Sequence, residues 1–333
     1  MKIDLFLLVV VLILNILFYF SYSRIAKIFN LYDIPDFSRK IHKEKIAAVG
    51  GILFYLFYIM YFLGNFQNDD NLFSFRESIS ILIIISIFFF IGLIDDKFTL
   101  GSNTKLLLMI LFSLCLVMFN EEFSIKKLNF SFTEKQITLG EFSILFTVIC
   151  ILCFVNACNM FDGIDLQFGT YLIFLSLIFI YKGFMINFNT GIIICSIFFL
   201  INNFRKKIFI GNNGTLFLSI LYSIFFIFSY SKNNLFFVDE IFLCMAIPGY
   251  DLIRVSLLRL TKGKHMFSPD NQHIHHFLIN KIGTIKTNIL IQFSIFAPII
   301  VYYLTKDFFI SFIISIFSYV GLIFFAKKKT KFQ

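Results

Sequence analysis

Residues 79–94 read ISILIIISIFFFIGLI, an unbroken apolar run that ends at two adjacent carboxylates, Asp95 and Asp96. A transmembrane helix needs about 20 predominantly apolar residues to cross about 30 Å of hydrocarbon. With its flanking residues this run reaches that length, and similar runs recur along the 333-residue chain. The pattern predicts about eleven spans. Their approximate limits are residues 5–23, 49–63, 78–94, 104–119, 142–157, 167–181, 188–202, 214–230, 236–253, 285–304 and 308–326.

The composition of the chain excludes several classes of protein. Hydrophobic residues make up 59% of the sequence and charged residues 15%, whereas soluble domains average about 45–50% and about 25%. A soluble multidomain enzyme, a disordered chain and a nucleic-acid-binding domain are therefore excluded. We predict an all-α polytopic transmembrane helix bundle in which residues 1–333 form a single domain.

Positive charge is distributed unevenly between the two sets of predicted loops. Of the 29 Lys and Arg residues, 21 lie in the odd-numbered loops, in the C-terminal tail or just inside the adjacent spans, and 8 lie on the opposite side. Because positive residues mark the cytoplasmic side of membrane proteins, this bias predicts an N-terminus outside and a C-terminus inside. The predicted cytoplasmic loops are residues 24–48, 95–103, 158–166, 203–213 and 254–284.

The second cytoplasmic loop begins with the Asp95–Asp96 pair. Two carboxylates at the end of an apolar span are costly unless something compensates their charge. Mg²⁺ commonly binds through one or two carboxylates together with substrate phosphates, and a carboxylate can also accept a proton from an attacking group. The pair is thus interpreted as a metal site, a general base or a solvated helix end.

The third loop carries a stripe of polar side chains. Asn156, Asn159 and Asp162 are three residues apart, so on a helix they share one face. Asp165 continues the stripe if the turn at Gly163 does not redirect the chain. Amide and carboxylate groups in this pattern can bind a cation or the polar edge of a base or sugar, so we interpret the stripe as functional.

The first and fourth loops carry weaker signals. Arg39, Lys40 and His42 form a cationic cluster that could bind a phosphate or face anionic lipid headgroups. In the fourth loop, residues 211–215 form a Gly-containing turn before a helix N-terminus, where backbone N–H groups favour anions. The preceding basic residues, 205–207, are interpreted as a cytoplasmic membrane anchor.

The fifth loop holds four of the five histidines of the chain. His273, His275 and His276 could bind a transition metal, but no Cys lies nearby to complete a closed structural zinc site. Because Arg254 lies in the same region, donors to phosphate oxygens are an equally good interpretation of these residues.

Taken together, the five motifs resemble one family. In their order and on the same predicted side they are similar to those of the polyprenyl-phosphate N-acetylhexosamine-1-phosphate transferases of bacterial envelope synthesis. The resemblance is to undecaprenyl-phosphate GlcNAc-1-phosphate transferases more than to phospho-MurNAc-pentapeptide transferases, and it runs from about residue 35 to residue 278. The matching residues are Asp36, Arg39, Lys40, His42, Gly50, Gly51, Asp95, Asp96, Lys105, Asn156, Asn159, Asp162, Gly163, Asp165, Gly211, Gly214, Thr215, Asp251, Arg254, Gly263, Phe267, Asp270, His273, His275 and His276.

The resemblance implies a Mg²⁺-dependent reaction, with Mn²⁺ as an alternative ion. Undecaprenyl phosphate would attack the β-phosphorus of a UDP-N-acetyl sugar, releasing UMP and leaving a lipid-linked pyrophosphoryl sugar. Phosphoryl transfer between two anions depends mainly on charge neutralisation and in-line positioning. The lipid chain would lie in a groove between spans.

The resemblance also implies roles for individual residues. Asp95 is the expected base for the lipid phosphate, and Asp96, Asp162 and His273 complete the expected catalytic set. The expected metal ligands are Asp96, Asn156, Asp162 and Asn212. The expected substrate-binding residues are Arg39, Lys40, His42, Lys105, Asn159, Asp165, Arg254, His275 and His276.

The chain departs from the family pattern at several positions. Asn212 stands where the family has an Asp that binds the metal, and this change should weaken Mg²⁺ binding because a full negative charge is lost. Leu166 replaces a Gly, and Lys45 and Ala47 replace two prolines of the first motif. Phe277 follows the histidines where the peptidoglycan branch has an acidic residue, which disfavours that branch.

We therefore predict the first membrane step of an O-antigen, teichoic-acid or other envelope glycan pathway. The protein would lie in the bacterial inner (plasma) membrane, in contact with membrane lipid, with its active site on the cytoplasmic side and no nucleic-acid partner. The resemblance makes a homodimer a further expectation. The alternatives are a phospho-MurNAc-pentapeptide transferase, a non-catalytic relative that binds a lipid or nucleotide, and a transporter. A transporter is disfavoured because the charged residues lie at span ends rather than near the midplane.

Overall fold

Helices make up most of the part of the chain that the structure describes. The computed structural model describes residues 4–35, 44–65, 72–263, 266 and 271–327. Twelve α-helices lie within these residues. All but the short helix at residues 274–282 follow the eleven predicted spans in order, so the prediction of an all-α bundle is confirmed. The helices are α1 (Leu5–Phe29), α2 (Gly50–Asn65), α3 (Phe75–Phe98), α4 (Ser102–Phe119), α5 (Ser143–Phe161), α6 (Gln167–Tyr181), α7 (Ile186–Phe204), α8 (Gly211–Ser231), α9 (Val238–Thr261), α10 (Ile274–Ile282), α11 (Thr284–Thr305) and α12 (Phe308–Lys327).

The length and composition of the helices suit a membrane. Within the described ranges, nine helices are long and apolar enough to cross one, and α2 and α6 are shorter apolar helices. The chain is therefore a multi-pass membrane protein. The orientation of its termini stays a prediction from the charge bias.

The central helix of the bundle is α8. Every residue of α8 from Asn213 to Tyr230 is buried, and α2, α3 and α5 pack against it. A helix that is apolar on all sides is expected to lie inside a bundle rather than at its surface. The first turn of α8, which carries the fourth motif, is thereby held between the ends of its neighbours.

The C-terminal end of α3 extends further than the sequence predicted. Asp95 and Asp96 lie inside α3, which ends at Phe98 and is capped by Thr99 in the left-handed conformation (φ 50°). At its other end α3 begins with a capping box, in which Ser74 and Glu77 satisfy each other's backbone N–H groups. The two carboxylates are therefore fixed to the last turn of a rigid helix.

Short strands join the first and fourth loops. Strand β1 (Tyr32–Asp33) pairs antiparallel with β2 (Ile46–Ala47), and Ala47 also bridges Ile208. The backbone N–H of Gly51 donates to the carbonyl of Ile210 at 2.9 Å. A Cβ at Gly51 would collide with the side chain of Asn213 and the backbone of Gly214. Glycine is therefore needed here because the N-termini of α2 and α8 touch.

The structure contains two further small elements that position loops. Strands β3 (Lys127–Leu128) and β4 (Ile137–Thr138) form a hairpin at the opposite end of the bundle. The helix α10 lies inside the predicted fifth loop, and it packs against α11 and α12.

Candidate active site

One cavity brings the predicted cytoplasmic loops together. It has a volume of about 410 Å³ and lies where the ends of α3 and α5 meet the beginnings of α8 and α10. Its lining includes residues from all five loops. The polar lining residues are Tyr32, Asp33, Asp96, Asn159, Asp162, Asp165, Asn203, Lys206, Asn212, Thr215, Asn271, His276 and Thr284.

Asp96 is held by the first turn of α8. Its Oδ1 accepts hydrogen bonds from the backbone N–H (2.8 Å) and the side-chain amide (3.0 Å) of Asn212. Its Oδ2 accepts from the backbone N–H (2.9 Å) and the side-chain amide (2.6 Å) of Asn213. The N–H groups at a helix N-terminus are suited to hydrogen-bonding a carboxylate. Both oxygens of Asp96 are thus engaged by protein donors.

Asp95 lies beside the cavity and pairs with Lys105. The Lys105 Nζ is 2.8 Å from Oδ2 of Asp95, and the backbone N–H of Leu100 donates to Oδ1 at 2.7 Å. Lys105 also donates to Oδ1 of Asn212 at 3.1 Å. Asp95 and Lys105 are therefore linked to the cavity wall through Asn212.

Asn212, where the family pattern has Asp, uses both ends of its side-chain amide. The oxygen accepts from Lys105, and the nitrogen donates to Asp96. A carboxylate at position 212 would keep the bond to Lys105 but would face the carboxylate of Asp96 with no proton to donate. The asparagine is therefore chemically matched to its two neighbours.

Asp162 lies just after the end of α5 and opens onto the cavity. Burial and the neighbouring carboxylates, Asp165, Asp96 and Asp33 in that order, raise its pKa to about 8. No hydrogen bond or ion pair joins the Asp162 side chain to any residue that the structure describes. This carboxylate is thus the strongest candidate in the cavity for binding a cation.

The other polar residues of the third motif differ in their environments. Asn159 lines the cavity and accepts a hydrogen bond from the hydroxyl of Thr215 at 2.9 Å. Asp165, a predicted substrate-binding residue, also lines the cavity. Asn156 instead donates to the carbonyl of Leu152 in its own helix at 2.8 Å and does not line the cavity. The geometry thus groups Asn159 and Asp165 with Asp162.

His273 is enclosed by protein groups. Its Nδ1 is 2.8 Å from Oδ2 of Asp251, and its Nε2 is 3.3 Å from Nη2 of Arg259. Because a guanidinium can only donate, Nε2 must accept and the proton lies on Nδ1. His273 thus joins α9 to the start of α10 and does not line the cavity.

Arg254 belongs to the same network as His273. Its guanidinium donates to Oδ1 of Asp251 at 2.6 Å, to the hydroxyl of Tyr319 at 2.8 Å and to the carbonyl of Gln272 at 2.7 Å. Arg254 therefore ties α9 to α12 and to the segment that leads into α10.

The other two histidines predicted to bind substrate, His275 and His276, lie in the first turn of α10. His276 lines the cavity. His275 is buried, and burial lowers its pKa well below the usual value, helped by its histidine neighbours. A Cβ at Gly163 would collide with the His275 ring, so the absence of a side chain at 163 lets α10 lie against the Asp162 loop.

The cavity offers part of a metal site. Within the described ranges, no three His, Cys, Asp or Glu side chains converge into a group that could hold a metal by themselves. Mg²⁺ does not require such a group, because it commonly keeps several waters and binds one or two carboxylates together with substrate phosphates. The carboxylates around Asp162 suit that mode of binding.

The sequence of this chain is similar to a known protein family over several of the segments that form the cavity. Residues 78–230 match the model of glycosyl transferase family 4. The predicted family resemblance is confirmed. This segment contains the second, third and fourth motifs and all of α8 except its last residue.

Curated relatives extend the glycosyl transferase family 4 match over most of the chain. The undecaprenyl-phosphate alpha-N-acetylglucosaminyl 1-phosphate transferase of Yersinia pestis is 24% identical over 285 residues, which cover 82% of this chain and 76% of that protein. The enzyme of the same name from Escherichia coli (strain K12) is 24% identical over 287 residues, covering 82% and 75%. The Thermotoga maritima enzyme is 29% identical over 277 residues, covering 82% and 81%.

Some predicted residues cannot be placed, and some cavity residues were not predicted. Arg39, Lys40 and His42 lie outside the described residues. Asp33 and Lys206 line the cavity although neither was selected from the sequence. Asp33 is a single carboxylate three residues before the motif residue Asp36, and Lys206 was assigned to a membrane anchor. For Asn203, Asn271 and Thr284, which also line the cavity, nothing in the sequence gave a signal.

Proposed function

We propose that this protein transfers an N-acetylhexosamine 1-phosphate from a UDP-sugar to undecaprenyl phosphate, giving a lipid-linked pyrophosphoryl sugar and UMP. The observation that carries the proposal is the convergence of five separate loops on one carboxylate-lined cavity at one end of a membrane bundle. The names of the curated relatives support the acceptor and the transferred group. A peptidoglycan role is disfavoured by Phe277.

The residues in and beside the cavity have different proposed roles in the reaction. Asp95, which pairs with Lys105, is the proposed acceptor of the proton if the lipid phosphate enters protonated. A lipid phosphate oxygen then bonds to the β-phosphorus of the donor, and the bond from that phosphorus to the UMP oxygen breaks. Asn159 and Asp165 lie where they can orient the nucleotide sugar.

Mg²⁺, or Mn²⁺ in its place, is the proposed cofactor. The residues that would hold it are Asp162 and the neighbouring carboxylates of the cavity, because Asp162 has no protein donor among the described residues and its pKa is raised to about 8. The cation would neutralise the charge of the donor diphosphate. Asp96 contributes negative charge while its oxygens are held by Asn212 and Asn213.

The direct test is UMP release by purified protein. The assay contains undecaprenyl phosphate, Mg²⁺ or Mn²⁺ and a panel of UDP-N-acetyl sugars, each component also being left out in turn. We expect UMP only when lipid, metal and one of the sugars are all present, and the best sugar indicates the glycan that is initiated. UMP release that does not depend on the lipid would refute the proposed acceptor.

Asn212→Asp tests whether this chain is a catalytic member or only a binding relative. We expect the wild-type protein to turn over, because Asn212 is matched to Asp96 and Lys105. An inactive wild type whose Asn212→Asp variant releases UMP would instead indicate a protein that has lost its metal site and binds without turnover.

The proposed location is a bacterial inner membrane with the cavity facing the cytoplasm. The excess of Lys and Arg in the cavity-side loops supports this orientation. Fluorescent-protein and alkaline-phosphatase fusions after Lys327 check it, because only the fluorescent fusion is active at a cytoplasmic C-terminus. A homodimer is a separate proposal, which light scattering of the detergent-solubilised protein tests.

A further inference from the structure

Lys206 lies in a tight turn between α7 and α8. Its backbone is in the left-handed region (φ 53°), which a non-glycine residue adopts at an energetic cost. Its N–H donates to the carbonyl of Asn203 at 2.8 Å. Lys206 is exposed and is one of the residues that line the cavity.

The turn is anchored to the acidic side of the cavity by Asn203. The side-chain oxygen of Asn203 accepts from the backbone N–H of Leu166 at 2.7 Å, and its nitrogen donates to the carbonyl of Ile208 at 3.0 Å. Leu166 directly follows Asp165. A buried amide therefore fixes the position of Lys206 relative to the third motif.

The neighbouring lysine has a different environment. Lys207 donates to the hydroxyl of Tyr19 on α1 at 3.2 Å, and its Nζ lies 5.1 Å from the centroid of the Tyr19 ring. A membrane anchor, the role predicted for residues 205–207, accounts for Lys207. It does not account for Lys206, which lines the cavity.

Charge balance indicates what Lys206 can bind. Among the described lining residues it is the sole Lys or Arg, and it shares the cavity with Asp33, Asp96, Asp162 and Asp165. These carboxylates repel a diphosphate, whereas a lysine ammonium presents a positive charge and three donors. Since nearly all lining residues come from the predicted cytoplasmic loops, the cavity is suited to a water-soluble ligand.

We propose that Lys206 binds the diphosphate group of the nucleotide-sugar donor. This inference rests on the proposed function, because it takes the donor to be a UDP-sugar. Lys206 would hold the phosphates and would supply positive charge in addition to the cation.

The test compares Lys206→Gln with Lys207→Gln in the purified, detergent-solubilised protein. UDP is the probe, and its Kd is measured by titration calorimetry with Mg²⁺ present. We expect Lys206→Gln to raise the Kd for UDP about 10-fold, whereas Lys207→Gln should leave it within about 2-fold. Lys206→Arg should recover most of the affinity. The wild-type Kd should also rise more steeply with salt than that of Lys206→Gln, because an exposed lysine is screened.

The outcomes separate this inference from the proposed function. A wild-type protein that binds UDP no better than Lys206→Gln does would overturn the role of Lys206 and leave the donor intact. A wild-type protein that binds no UDP would overturn the UDP-sugar donor and the role of Lys206 together. In a second arm, the dependence of UMP release on undecaprenyl phosphate is measured for both variants. A loss confined to that arm would assign Lys206 to the lipid phosphate and overturn its assignment to the donor.

Discussion

Carboxylates lie at both ends of the helical bundle, but their surroundings differ. At the end opposite the cavity, the buried Glu240 at the start of α9 pairs with Lys182 at 2.7 Å. Glu77 at the start of α3 pairs with Lys232 at 2.8 Å. Asp239 accepts from the backbone N–H and the hydroxyl of Ser131 in the β3–β4 hairpin. Each of these carboxylates accepts a hydrogen bond or forms an ion pair with a donor from the protein.

At the cavity end, the carboxylates form a graded series. Asp251 is enclosed by His273, Arg254 and Tyr319 and serves the packing of α9, α10 and α12. Asp96 is held by amides but still lines the cavity, whereas Asp162 has no donor among the described residues. A buried carboxylate whose oxygens all have protein donors therefore supports folding. A carboxylate that lines a cavity and lacks such donors is instead available to bind a ligand.

The largest expected effect is that of Asp162→Asn on catalysis. The substitution removes the carboxylate that is proposed to bind the cation, and we expect transfer to fall by about 10³-fold, as when a preorganised electrostatic group is removed. UMP release measures this loss, and the elution volume and Tm of the solubilised protein should remain those of the wild type. Turnover close to that of the wild type would remove Asp162 from the site.

The complementary substitution is Lys182→Met at the opposite end. It leaves Glu240 buried without its partner, and we expect a loss of about 3 kcal/mol in the free energy of unfolding. The KM for the UDP-sugar should not change in the protein that remains folded. Chemical denaturation in detergent measures the loss, and Lys182→Met combined with Glu240→Leu should recover most of it. A changed KM with unchanged stability would contradict the division between the two ends.

Gly163→Ala tests how α10 is positioned over the cavity. The new methyl group would collide with the His275 ring and displace the start of α10, which carries His276. Since a misplacement of about 1 Å can lower a rate by about 10²-fold, we expect a decrease of that order in kcat. The double variant with His275→Ala provides room for the methyl group and should recover part of the rate. An additive loss in the double variant would refute this contact as the cause.

Hydropathy and charge allowed the fold to be predicted, because a membrane helix must be apolar along its whole length. All eleven predicted spans are helices. The helix α10 was missed because its nine residues are too few to cross a membrane and include the polar residues His275, His276, Asn280 and Lys281. The motif residues Asp96, Asn159, Asp162 and His276 were predicted and meet in one cavity.

The environment of each site residue could not be predicted. His273 contacts Asp251 and Arg259 of α9 and does not line the cavity. These contacts join residues that are far apart in the sequence, so the local pattern does not indicate them. Likewise, Lys206 and Lys207 are adjacent and chemically identical in the sequence. The left-handed turn at Lys206, held by the buried Asn203, gives the two lysines different environments.

The smallest expected effect is the pH dependence of stability in the metal-free protein. The pKa of Asp162 is raised from 3.8 to about 8 in the folded state, so the folded protein binds its proton more tightly than the unfolded chain does. The resulting stabilisation is complete below the unfolded pKa and is lost as the pH rises through about 8. Between pH 7 and pH 8 we expect the free energy of unfolding to fall by about 1 kcal/mol.

Thermal unfolding in EDTA at a series of pH values measures this dependence. Asp162→Asn cannot ionise and should abolish it, whereas Lys182→Met, which lowers stability at the opposite end, should retain it. Added Mg²⁺ should raise Tm more at pH 8 than at pH 6, because the cation and the proton compete for the same carboxylate. An identical pH dependence in the wild type and Asp162→Asn would mean that Asp162 is paired in solution like the carboxylates at the opposite end, and the contrast between the two ends would be lost.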